Sequence, residues 1–229
     1  MDWHKVLTDK DYSEDKAFEL LTSLSYDIEN APPLPHLAAS SSTPVLYGKH
    51  MMKKYFKHGK NIERPDIQSE DLNLGIEVTR LIDENQMISL KTIDEVDKKT
   101  NSLEDFKRTI EKADKKGIFA GKIRDAGVGR LIDFDTQNIY EIMEKKIAEK
   151  IKLMSEYESF EEYWLFMFSF AYIDEAKLLS IINKMPDHNK YKTYILVSAA
   201  NNDEIWFIHE PYNSIEKHIS FWTGGIRNE

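Results

Sequence analysis

Asp66 and Glu77 are the side chains whose setting in this sequence points most directly to chemistry. Both fall in the stretch from Arg64 to Arg80, RPDIQSEDLNLGIEVTR. Asp66 directly follows Pro65, and Glu77 sits inside the β-branched, apolar run Gly75-Ile76-Glu77-Val78-Thr79. A carboxylate in such a run is costly to bury unless a cation stands opposite it. Two carboxylates on neighbouring strand segments could hold a divalent metal. Mg²⁺ takes oxygen ligands and keeps several waters, so one or two carboxylates and a backbone carbonyl suffice. Such an ion lowers the pKa of a bound water and acts as a Lewis acid. Strand alternation sends Ile76 and Val78 one way and Glu77 with Thr79 the other. Glu77 therefore belongs to a polar face, either solvent or an active cleft.

The cations that could balance these acids lie further along the chain. At about 100° per residue, Ile139, Ile142, Met143, Ile147, Leu153, Met154 and Tyr157 share one face of a helix. Lys146 and Lys150 fall near the centre of that apolar face, whereas Lys145 and Lys152 fall on the solvent side. A lysine centred on a buried face needs either a partner or a route for its ammonium to the rim. Asp66 and Glu77 would be such partners. Near the N-terminus, a helix over 11–30 presents Ala17, Leu21, Leu24 and Ile28 as a stripe, with Ser13 as its expected cap. Glu14 shares that stripe and Glu19 points away from it. An acid near a helix start is also favoured by the helix dipole alone.

The elements that must position these residues follow from pattern and punctuation. Residues 31–44, with Ala31-Pro32-Pro33-Leu34-Pro35 and Ser40-Ser41-Ser42-Thr43, read as a loop. A short strand or helix is expected within 45–56. Strands are expected over 64–67 and 74–80, joined by the turn Ser69-Glu70-Asp71. Leu103, Phe106 and Ile110 mark a helix over 97–116 with Gly117 as its stop. A glycine-dotted connector over 117–129 and a helix over 136–157 come next. Strands over 163–170, 191–197 and 204–209 follow, the last two joined by a hairpin at Asn201-Asn202-Asp203. A short helix is expected from Ser214. The aromatics Tyr163, Trp164, Phe166, Phe168, Phe170 and Tyr172 alternate too densely for a base-stacking platform and read as core. This order predicts an α/β fold, a central mixed β-sheet flanked by helices, in one domain over 1–229.

Composition narrows the function. The chain has 229 residues, 41% hydrophobic and 31% charged, and no cysteine. Disulfides, thiolate catalysis and cysteine zinc sites are excluded. The start of the sequence has no apolar stretch of signal-peptide type, and no run is long enough to span a bilayer, so a cytoplasmic protein without a membrane is expected. No HExxH pair, nucleophile elbow or Walker loop is present. The net charge of −9 argues against general nucleic-acid binding. The basic residues are nevertheless grouped. Lys49, Lys53, Lys54, Lys57, Lys60 and Arg64 form one run, and Lys122, Arg124 and Arg130 belong to another. Both read as solvated surface or as contacts to a phosphate backbone.

The Pro-Asp pair and the Gly-Ile-Glu-Val-Thr run, followed by a helix with inward lysines and an aromatic-rich strand, resemble the core of the PD-(D/E)xK nuclease superfamily. The resemblance covers Arg64 to Thr79 directly. It extends as topology from the first helix to the strand at Trp164. It implies a restriction-endonuclease-like fold in which Asp66 and Glu77 hold Mg²⁺ or Mn²⁺, with the Val78 carbonyl as a third ligand and Glu14 as an acid from the first helix. The superfamily's usual lysine lies two residues past the second acid, where this chain has Thr79. Some members carry the lysine on a following helix, which makes Lys146 the first candidate and Lys150 the second. The implied function is a metal-dependent phosphodiesterase acting on nucleic acid, with DNA favoured over RNA and a homodimer as one assembly open to it. The alternative is a catalytically inactive fold of this kind that binds nucleic acid, or a protein partner as an accessory or immunity-type module.

Overall fold

A computed structural model describes residues 1–30, 64–70, 73–84, 86, 87, 90, 91, 104, 105, 108, 121–125, 130–134, 138–157, 159–201 and 204–218. Its centre is a six-stranded sheet in the order β1-β2-β5-β6-β7-β8. The strands are β1 (Ile67–Ser69), β2 (Leu74–Arg80), β5 (Glu162–Ser169), β6 (Thr193–Ser198), β7 (Ile205–His209) and β8 (Glu216–His218). Strands β2, β5 and β6 run parallel, while β1, β7 and β8 pair antiparallel to their neighbours. A separate two-stranded sheet pairs β3 (Gly121–Asp125) with β4 (Arg130–Phe134). The fold is α/β with a mixed sheet.

The near-continuous apolar runs of β5 and β6 suit strands buried on both faces, as parallel strands generally are. Alternation then divides the core. Ile76, Val78, Trp164, Phe166, Phe168, Ile195, Val197 and Phe207 pack on one face with Val6 of α1 (Trp3–Thr8) and Ala17, Leu20 and Leu21 of α2 (Lys10–Asn30). Leu165, Met167, Tyr194, Leu196, Trp206 and Ile208 pack on the other. There they meet Ile142, Met143, Ile147 and Ile151 of α3 (Ile139–Leu153), and Leu178 and Ile182 of α4 (Glu175–Lys184). Helices therefore cover both faces. Among the described residues no helix is long and apolar enough to cross a membrane.

Several local expectations are corrected. The helix over 11–30 starts at Lys10, and its cap is Asp9, whose Oδ1 accepts the Tyr12 N–H at 3.2 Å, rather than Ser13. Ser13 lies inside the helix and its hydroxyl donates to the Lys10 carbonyl. The expected connector over 117–129 contains β3, one arm of a hairpin. Of the tail from Ser214, where a short helix is expected, the described part carries the edge strand β8 and residues 219–229 lie outside the described residues. The α4 helix was not anticipated; Asp174 caps it by accepting the Lys177 N–H at 2.9 Å. The aromatic series splits, with Trp164, Phe166 and Phe168 buried but Phe170 and Tyr172 exposed. Of the helix expected over 97–116, only residues 104, 105 and 108 are described, and these are helical. The loop over 31–44 and the element expected within 45–56 lie outside the described residues.

Candidate functional site

Strand β1 is short and lies at the sheet edge, so the Pro65-Asp66 segment that precedes it is held against β2. Gly75 allows that approach: a Cβ there would stand 2.5 Å from Pro65 Cγ and 3.0 Å from Phe160 Cδ2. Ile67 pairs with Ile76, which brings Asp66 alongside Glu77 and Val78. The Val78 N–H donates to Asp66 Oδ2 at 2.8 Å.

Glu77 points to the opposite face from Ile76 and Val78, toward α3. It is only 2% exposed, and Glu77 Oε1 accepts from Lys150 Nζ. Glu77 Oε2 is buried and has no hydrogen-bond partner among the described residues. From the other helical layer, Lys10 in the first turn of α2 reaches Asp66 Oδ1 at 3.2 Å and Glu14 Oε1 at 2.9 Å. Both helical layers thus supply charges to one sheet edge.

The electrostatics follow from this crowding. Burial alone would push Asp66 up, but Lys150, the Val78 N–H and Lys10 outweigh it and hold Asp66 below the usual carboxylate range. Burial raises Glu77, the neighbouring Asp66 charge raises it further, and Lys150 only partly opposes this. Glu14 is pushed up to about 7 by burial and by Asp66, against the pull of Lys10. Burial tends to lower Lys10, but Glu14 and Asp66 leave it raised on balance. Two buried hydroxyls border Glu77. Burial raises both Tyr157 and Tyr191, and the Glu77 charge adds to each.

The structure brings together Asp66, Glu77, Val78, Glu14 and Lys150 from the sequence-derived set. It does not bring Lys146, the first-choice lysine, to the acids. Lys146 is 31% exposed and its Nζ lies 3.5 Å from Glu149 on its own helix. The pairing falls to Lys150, one helical turn further on. Arg64 pairs instead with Glu156 at 2.6 Å, near the surface. Lys49, Lys53, Lys54, Lys57 and Lys60 lie outside the described residues, as do the side chains of Lys122, Arg124 and Arg130 on the β3–β4 hairpin. The sequence reading missed Lys10, although its i, i+4 spacing to the inward-facing Glu14 was a usable signal. It also missed Tyr157 and Tyr191 as neighbours of Glu77, for which no local pattern exists.

The candidate donors are all oxygens, the ligand type that a hard cation takes. Three carboxylates face two ammonium groups, two carboxylate oxygens (Glu77 Oε2 and Glu14 Oε1) are buried without a hydrogen bond among the described residues, and oxygen is the ligand that Mg²⁺ and Mn²⁺ prefer. Among the described residues no three acidic or histidine side chains form a ready cage. The candidate ligands are therefore a pair of carboxylates with a third nearby. No family model matches the chain, and no curated protein or solved structure matches it either.

Proposed function

We propose that this chain is a metal-dependent phosphodiesterase acting on DNA, a divergent PD-(D/E)xK nuclease with a restriction-endonuclease-like fold. The observation that carries this reading is the delivery of Lys150 from α3 onto the buried Glu77, beside Asp66. The lysine that the superfamily places on the strand is Thr79 here, and Lys150 offers the same charge from a helix. Asp66 and Glu77 would hold Mg²⁺ or Mn²⁺ together with the Val78 carbonyl, and Glu14 would add an oxygen from α2. When bound, the ion supplies Lewis-acid polarisation of the phosphate and activation of a water. Lys150 fixes the Glu77 carboxylate and places a positive charge where negative charge grows on the phosphoryl oxygens. The basic runs would follow the DNA backbone, releasing counterions on binding.

Thermal unfolding tests the metal site. Mg²⁺ or Mn²⁺ raises the Tm of the wild type above its value in EDTA, and Glu77→Gln removes the rise. A wild type that responds to neither ion overturns the reading.

A second reading has one observation in its favour. Lys10 and Lys150 already pair with Asp66 and Glu77, as in a structural ion cluster. The protein would then bind nucleic acid or a protein partner without cleaving anything. DNA binding that ignores EDTA but weakens steeply with salt would support it.

A further inference from the structure

We propose that Lys10 is a resident cation that holds the place of the metal, so that ion binding requires the Lys10 ammonium to leave Asp66 and Glu14. This rests on the metal-site reading above and adds to it a competitor within the chain.

The geometry carries the inference. Asp66 has two carboxylate oxygens, and each is already engaged. Oδ2 accepts the backbone N–H of Val78, a contact fixed by the strand. Oδ1 is the oxygen turned to Lys10, at 3.2 Å. The same ammonium stands 2.9 Å from Glu14 Oε1. It therefore bridges the acid of the Pro-Asp segment and the acid of the first helix, as a divalent ion would. Any ion that uses Asp66 Oδ1 and Glu14 must take the position of that ammonium.

Lys10 is also the charge most able to move. Its side chain is 60% exposed, against 17% for Lys150, and it sits in the first turn of α2 at the outer edge of the cluster. A lysine stem of four carbons can swing its head into water at little cost. Lys150 cannot leave so easily, because Glu77 would lose its partner while remaining buried. The two lysines thus have different tasks: Lys150 stays with its carboxylate, and Lys10 gives way. Once released, Lys10 lies at the mouth of the site, where an approaching phosphate would meet it.

The test compares the Mg²⁺ and Mn²⁺ concentrations at half-maximal Tm shift for the wild type, Lys10→Met and Lys10→Arg. Lys10→Met keeps the stem and removes the charge. Its midpoint falls by about threefold or more, the scale of a partly exposed ion pair, while Lys10→Arg keeps a midpoint near that of the wild type. The midpoint of the ion titration is the readout, so a lower Tm of the ion-free variant does not disturb it. A midpoint for Lys10→Met equal to or weaker than that of the wild type overturns the proposal. If the wild type still responds to Mg²⁺ in that case, and Glu77→Gln does not, the metal site stands and only the role of Lys10 falls. If neither the wild type nor Lys10→Met responds to any ion, the metal reading and this proposal fall together.

Discussion

The Glu77 carboxylate is kept inside the protein by the ammonium of Lys150. Removing one member of a buried pair leaves an uncompensated charge, at a cost of about 3 kcal/mol or more. Lys150→Met is therefore expected to lower unfolding free energy by that amount in urea titrations. Lys146→Met, at a partly exposed position whose ion-pair partner among the described residues is Glu149, should stay within about 0.5 kcal/mol of the wild type. Equal losses for the two would contradict the assignment. Glu14 gives a pH signature. Its pKa is about 7 in the folded protein against 4.5 for the unperturbed group. Between these values the folded state binds the proton more tightly than the unfolded chain. Its contribution to stability is thus full below the lower value and lost as pH rises through the upper one. The Tm of Glu14→Gln relative to the wild type should accordingly rise across that window and level off above it. A flat difference would mean that Glu14 is not held among the other acids. Asp66 behaves in the opposite sense: its depressed pKa gives stability that is lost only as pH falls below the usual carboxylate range.

At the scale of elements, the Pro65-Asp66 segment lies against β2 because Gly75 has no side chain to hold it off. Gly75→Ala places a methyl 2.5 Å from Pro65 Cγ, and a proline ring cannot fold away as a long side chain would. The expected cost is about 1–3 kcal/mol, together with a weaker Tm response to Mg²⁺ as Asp66 is displaced. An unaltered response would show that the segment tolerates the shift. This scale also shows what the sequence made legible. The inward face of α3 was readable in part: helical periodicity places Ile142, Met143 and Ile147 on the buried side, but of the two lysines assigned to that face Lys150 turns to Glu77 while Lys146 is 31% exposed. Which of the two meets Glu77 was not readable, because period reports rotation about the helix axis and not position along it. That position depends on how the chain crosses from β2 to β5, a distance set by tertiary packing. Glu77 on the polar side of β2 followed from strict alternation. The strand β8 was missed because Glu216-Lys217-His218 has no apolar alternation; its strand character comes from pairing with β7. The α4 helix was missed because Leu178 and Ile182 alone mark its buried face, too few positions to establish a period.

For the molecule as a whole, the two core clusters share the strands β5, β6 and β7, whose alternate residues enter opposite faces. Neither face can loosen without exposing the other. Phe207→Ala on the α2 side and Leu196→Ala on the α3 side should each lower one common unfolding transition, by about 2–5 kcal/mol. Two separable transitions would contradict a shared sheet. The net charge of −9 also bears on function at this scale. Under the proposed function, contact with DNA would rely on grouped lysines against an unfavourable overall field, so affinity should fall steeply with salt. The proposed activity is tested by cleavage of a labelled duplex DNA in Mg²⁺ or Mn²⁺, with wild type, Glu77→Gln and Lys150→Met side by side. Cleavage by the wild type is expected, abolished by EDTA and lost by at least about a hundredfold in both variants. A wild type that binds the ion but leaves the DNA intact, or variants that cleave as the wild type does, would contradict the proposed function.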